Sequence, residues 1–192
     1  MIKAVIFDCF GVILTDALQA MADEASQKNP KAYNEIYIVS DEANRGLITR
    51  GEADKRIAKI LKMPTEEYVK RKFDGETRNE PLLNYIENLR REYKTAMLSN
   101  VSNGGLLRRF HVDELNRYFD VTVASVEIGF AKPEAQAYEI TADKLGVRLD
   151  ECVFIDDRAE YCEGATAVGI KAVKYESFSQ LKIDLNKILA DS

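Results

Sequence analysis

The chain opens Met1-Ile2-Lys3-Ala4-Val5-Ile6-Phe7-Asp8-Cys9-Phe10-Gly11-Val12-Ile13, and this stretch decides the fold. Between Ile2 and Phe7 only Lys3 interrupts the apolar run, and Val5 and Ile6 are β-branched. A short run that is apolar toward both sides suits a central strand of a parallel sheet, which is covered on both faces. Asp8 ends the run with a carboxylate, and Gly11 follows where the backbone needs freedom to turn.

Working outward, comparable runs recur at Thr95–Leu98, Val121–Ala124 and Cys152–Ile155, with a shorter one at Ile170–Val173. Helical patterns separate them. Asn79 stands as an N-cap ahead of Pro81, with Leu82, Leu83, Tyr85, Ile86 and Leu89 on one stripe. Glu134–Leu145 opens after Pro133 and stops before Gly146, and Ala159–Val168 and Gln180–Leu189 complete the set. Strands alternating with helices at this spacing predict an α/β fold, a doubly wound parallel sheet of Rossmann-like kind. Such sheets carry their sites at the carboxyl ends of the strands, which puts Asp8, Ser99, Ser125 and Asp156 on one rim.

One segment does not alternate. Glu52–Met63 carries Ile57, Ile60 and Leu61 on one face, Thr65-Glu66-Glu67 after Pro64 reads as a helix start, and no strand is evident. This stretch is far longer than the dozen or so residues a crossover needs. The expected organisation is a core of residues 1–14 and 79–192 with a small helical cap at 15–78.

Composition narrows the function classes. The chain has 192 residues, 46% of them hydrophobic and 31% charged, enough to bury a core. Lys and Arg number 27 against 32 Asp and Glu, a formal charge of -5 that argues against nucleic acid as a partner. No apolar stretch approaches membrane-spanning length, and the first residues lack a leader pattern, so a cytoplasmic protein without a membrane partner is expected. Cys9, Cys152 and Cys162 lack metal-site spacing and are expected to be buried free thiols. Oligomeric state is not legible at this level.

At the strand ends stand Asp8, Ser99 and the pair Asp156-Asp157, with Lys132 after the third strand. Carboxylates converging on one rim repel unless a cation or proton joins them, and hard oxygen ligands suit Mg²⁺. A nucleophile, a metal, a lysine and a hydroxyl are what phosphoryl transfer requires. Each residue alone has a plainer account: Asp8 as a turn residue, and Ser99, Asn100 or Ser102 as a cap of a following helix. Lys132 alone is a solvated lysine, and Asp156-Asp157 a helix cap.

Taken in order, Ile6-Phe7-Asp8-Cys9-Phe10-Gly11-Val12-Ile13, Leu98-Ser99-Asn100, Ala131-Lys132-Pro133-Glu134 and Phe154-Ile155-Asp156-Asp157 resemble the four motifs of the haloacid dehalogenase superfamily. The resemblance covers essentially the whole chain, including the helical insertion and the Gly169-Ile170 strand. It implies a hydrolase in which Asp8 is the nucleophile and forms an aspartyl-phosphate from a small phosphorylated metabolite. Ser99 would bond the phosphoryl group with Asn100 beside it, and Lys132 would neutralise charge on both nucleophile and substrate. Asp8, Asp156, Asp157 and the backbone carbonyl of Phe10 would hold Mg²⁺.

The chain departs from the pattern at Phe10. Phosphatases of the superfamily usually carry a second aspartate there, as proton donor to the leaving group. A phenyl ring cannot shuttle protons, and general acid catalysis is worth about 10²–10⁴-fold. Three readings follow. The protein is a phosphatase with a good leaving group or an acid supplied elsewhere, like the sugar-phosphate branch that also lacks this aspartate and whose caps resemble Gly46-Leu47-Ile48-Thr49. Asp16, Asp41 and Glu42 are the cap candidates for that acid. Alternatively it is a metal-independent dehalogenase, whose members have an aromatic residue here but lack paired acids, with Arg45 and Arg50 nearest to the expected cap arginine. The third reading is a catalytically impaired phosphate- or metal-binding member. Outside the motifs, His111 is expected near a helix C-terminus, and Arg90-Arg91 and Arg108-Arg109 on solvated faces. Tyr33, Tyr37 and Tyr68 are expected mostly in cap packing.

Overall fold

The computed structural model describes residues 1–190. Five strands, β1 (Ala4–Phe7), β2 (Lys94–Ser99), β3 (Val121–Ala124), β4 (Cys152–Asp156) and β5 (Lys171–Lys174), form one sheet in the order β3-β2-β1-β4-β5. Every pairing is parallel. The opening stretch is therefore the central strand that its two-sided apolarity predicts.

Its side chains alternate between two cores. Val5 and Phe7 pack on one face with Met97, Val153 and Ile155 beneath α5 (Glu80–Leu89), α6 (Val112–Tyr118) and α10 (Phe178–Ala190). Ala4 and Ile6 pack on the other with Leu98, Val123 and Phe154, against α8 (Ala135–Leu145) and α9 (Ala159–Ala167). Each large side chain so buried contributes roughly 1.5–3 kcal/mol. Helix α5 starts as expected: the Asn79 side chain accepts from Leu82 N at 3.3 Å, and Leu82, Leu83, Ile86 and Leu89 are all buried. Helix α8 ends at Gly146, whose φ of 67° is the left-handed conformation that favours glycine. The short α7 (Ser125–Ile128) follows β3 directly.

Between β1 and α5 lie four helices, α1 (Ala17–Lys28), α2 (Ala32–Asn44), α3 (Arg50–Ile60) and α4 (Thr65–Asp74). They share a separate apolar cluster that includes Met21, Ile36, Val39, Ile57 and the fully buried Tyr68. The two connections to the sheet are tied together: Thr15 N donates to Thr77 O at 3.0 Å, and Thr15 Oγ1 donates to Gly75 O at 2.7 Å. Further bonds span the segment and the sheet domain. Arg45 Nη1 meets Glu134 Oε2 at 2.6 Å, and Ser125 Oγ donates to Asn44 O at 2.7 Å. No helix among the described residues is long and apolar enough to cross a membrane. Cys9, Cys152 and Cys162 are buried free thiols.

Two local expectations differ. Residues after Ser99 form turns, with no helix until Val112, so Ser99, Asn100 and Ser102 cap none. His111 precedes a helix instead of following one, because the Glu114 carboxylate reaches back to accept its N–H at 2.9 Å.

Candidate active site

Parallel register brings the strand ends together. Phe7 stands opposite Ile155, so the next residues, Asp8 and Asp156, emerge side by side at the carboxyl edge. Lys132 Nζ joins them, 2.7 Å from Asp8 Oδ1 and 2.6 Å from Asp156 Oδ2, with all three side chains buried. Oxygens of Asp8, Asp156 and Asp157 lie within 4.8 Å of one another.

The electrostatics follow from placing two buried carboxylates and a half-buried one beside one ammonium. Burial pushes the Asp8 carboxyl up to about 8, with Lys132 opposing the rise and Asp156 reinforcing it. Burial and then the charge of Asp156 raise Asp157 to about 6. Burial works to lower Lys132, but Asp156 and Asp8 outweigh it and hold the ammonium firmly protonated.

The oxygens are not equally committed. Asp156 receives Lys132 on Oδ2 and the Arg158 backbone N–H on Oδ1, the latter at 2.9 Å. Asp157 Oδ1 is buried with no hydrogen-bond partner. Gly11, at φ +87°, lies so close that a Cβ there would meet the Asp157 carboxylate at 2.4 Å. Only glycine permits that approach. A buried orphan oxygen among hard acidic donors fits a divalent cation such as Mg²⁺.

Ser99, the last residue of β2, also has a buried hydroxyl without a partner. Asn100 clamps the Lys132 backbone: its Oδ1 accepts from Lys132 N and its Nδ2 donates to Lys132 O, both at 2.9 Å. A cavity of about 120 Å³ opens from Asp8 toward the helical segment, and Asn100 and Lys132 line it. Phe10 lines it too, with the Arg109 guanidinium over its ring at 4.8 Å.

The three candidates for a replacement acid separate. Asp16 lines the cavity and burial raises its carboxyl, though it also caps α1 by accepting from Gln19 N at 3.0 Å. Asp41 also lines the cavity, but it is exposed and paired with Arg45 at 2.8 Å. Glu42 is paired with Arg56 at 2.5 Å. Of the tyrosines, Tyr37 faces the cavity and Tyr68 is core.

Sequence reasoning missed Arg109, Lys72 and Glu76. Arg109, expected on a solvated face, is buried and donates through Nε to Glu76 Oε2 at 2.6 Å. It lines the cavity with Glu76 and with Lys72 of α4. No local pattern marks these residues, since Arg109 and Glu76 meet only through the tertiary fold.

A family model described as a haloacid dehalogenase-like hydrolase matches residues 2–169. The chain is 36% identical over 97 residues to the phosphatase MT3486 of Mycobacterium tuberculosis, a match covering 48% of the chain and 43% of that protein. It spans less than half of that relative's length. It is 25% identical over 184 residues to a phosphorylated carbohydrates phosphatase of Thermotoga maritima, covering 89% of the chain and 83% of the relative. A Bacteroides thetaiotaomicron enzyme solved with magnesium and inorganic phosphate superposes with a TM-score of 0.72 at 21% identity, over 94% of this chain and 99% of that one. That last likeness is one of fold.

Proposed function

The chain belongs to the haloacid dehalogenase-like hydrolases, and on that premise we propose that it is a Mg²⁺-dependent phosphomonoester hydrolase acting on a small phosphorylated metabolite. The observation that carries the reading is the cluster of buried Asp8 and Asp156 with half-buried Asp157, whose Oδ1 is unpartnered while Lys132 bridges its neighbours. Phosphatase-named relatives support it. A metal-independent dehalogenase has no need of such a cluster, so the aromatic Phe10 alone does not favour that alternative.

Asp8, Asp157 and the Phe10 carbonyl, with Asp156 alongside, would hold the ion, which when bound offsets the charge of the carboxylates and of the transferring phosphoryl group. The remaining steps belong to the chain's own residues. An Asp8 oxygen attacks phosphorus, the bond to the ester oxygen breaks, and an aspartyl-phosphate forms. Lys132 Nζ and the free Ser99 hydroxyl hold the phosphoryl oxygens, while Asn100 keeps the Lys132 backbone in place. The departing oxygen takes its proton from water or from Asp16, because Phe10 has none to give. Water then attacks the aspartyl-phosphate, releasing inorganic phosphate and restoring Asp8. Residues 15–78 would act as the cap that closes the cavity over the substrate.

The test is a panel of phosphate esters assayed with Mg²⁺ and with chelator. Hydrolysis of an activated aryl phosphate that needs Mg²⁺ supports the reading. Hydrolysis that survives chelation, or Mg²⁺ binding with no turnover of any ester, contradicts it.

A further inference from the structure

One part of the cavity wall is built around the cations Arg50, Lys72 and Arg109. Lys72, in the last turn of α4, lines it. Its ammonium sits 5.7 Å from the Tyr68 ring, and among the described residues it has no hydrogen-bond or ion-pair acceptor. Burial lowers its pKa, the mark of a poorly solvated charge. Arg50 of α3 lines the same cavity and holds Asp54 through Nε at 3.3 Å, yet its Nη1 is buried with no partner.

The neighbouring carboxylates are already engaged. Asp54 serves Arg50, and Glu76 serves Arg109. Asp16 also lines the cavity but caps α1 and makes no ion pair with Lys72. Asp54, Glu76 and Asp16 all lie within electrostatic reach of Lys72, but none of them hydrogen-bonds its ammonium, so the Lys72 ammonium and Arg50 Nη1 are cationic donors left unfilled on this wall. The wall is also held in place: the Arg109 guanidinium lies over Phe10 at 4.8 Å and Phe73 at 4.9 Å, and Arg50 lies over Phe73 at 5.6 Å. A single neutral hydroxyl would fill one of these two cationic donors, whereas a compact anion with several acceptor oxygens fills both.

Resting on the phosphatase reading above, we propose that the substrate carries a second anionic group, a carboxylate or another phosphate, and that Lys72 and Arg50 bind it while the phosphoryl group being transferred sits at Asp8. The chemistry shared by the two groups is a compact anion with several acceptor oxygens.

The test is equilibrium binding by calorimetry to Asp8→Asn protein with Mg²⁺, which removes turnover from the readout. The probes are ethyl phosphate, 2-phosphoglycolate and propanediol bisphosphate. The expected result is that at least one doubly anionic probe binds more tightly than ethyl phosphate by about tenfold or more, the effect of one hydrogen bond to a charged group. Which of the two it is distinguishes carboxylate from phosphate. In Lys72→Met and Arg50→Gln backgrounds that preference should collapse. Equal binding of all three probes to the parent, a comparison that needs no cap variant to fold, overturns the proposal. So does a preference that persists in both variants. Aryl phosphate hydrolysis by wild-type protein reads the phosphatase assignment separately: its absence beside anion-selective binding removes that assignment and leaves the subsite.

Discussion

Replacing Lys132 by Met removes the cation that bridges Asp8 and Asp156, at 2.7 and 2.6 Å, and leaves two buried carboxylates facing each other. Breaking a buried pair by deleting one partner costs about 3–5 kcal/mol. For a chain of this size that corresponds to a fall in Tm of about 6–20 °C, at about 2–4 °C per kcal/mol. The loss has a pH signature. Asp8 already titrates near 8 when folded against 3.8 when unfolded, so the folded state binds more protons between those values and stability falls as pH rises through that window. Without Lys132 the folded value rises further and the fall steepens. Thermal unfolding of wild type and Lys132→Met in chelator, at pH 5.5 and 8, should show the Tm gap widening at pH 8. A gap of equal size at both values, or a variant as stable as wild type at pH 8, refutes the reasoning.

Three further outcomes are expected. Gly11→Ala would drive a methyl group into the Asp157 carboxylate, so Mg²⁺ affinity, read by titrating the thermal shift, should fall by about 10–100-fold, as for a lost supporting contact in a metal site. The Tm gain from saturating Mg²⁺ should grow from pH 5.5 to 8, because protons held by Asp157 up to about 6 and Asp8 up to about 8 compete with the ion; a gain independent of pH would mean that these carboxylates are not its ligands. Because Phe10 supplies no proton, hydrolysis rates across a series of phosphate esters should drop steeply as the leaving group becomes more basic, and a flat series would reveal a working acid, with Asp16→Asn the variant to assay next.

The sheet and the motif residues were legible because both depend on local pattern. Val5, Ile6 and Phe7 declare a two-sided strand, and the residue after a parallel strand reaches the rim whatever the loops do. Asp8, Ser99, Lys132, Asp156 and Asp157 could be named from order along the chain, and the fold brings Lys132 between Asp8 and Asp156. The division of labour inside the Asp156-Asp157 pair was not legible. It depends on which carboxylate the Arg158 N–H and Lys132 occupy, and that is a tertiary fact. Arg109 was misread for the same reason. In sequence it is half of a basic pair, and its burial comes from Glu76 and two aromatic rings supplied by distant segments. His111 shows a nearer failure, since the signal for a helix start there was Glu114 three residues on.

The central claim is that the Asp8 carboxylate becomes covalently phosphorylated. Acid-quenched turnover of an aryl phosphate with Mg²⁺, followed by peptide mapping by mass spectrometry, tests it directly. The account predicts one phosphoryl group on the peptide containing Asp8, absent from Asp8→Asn protein and from chelated samples. Brisk hydrolysis by Asp8→Asn, or a phosphoryl group on any other residue, would contradict it.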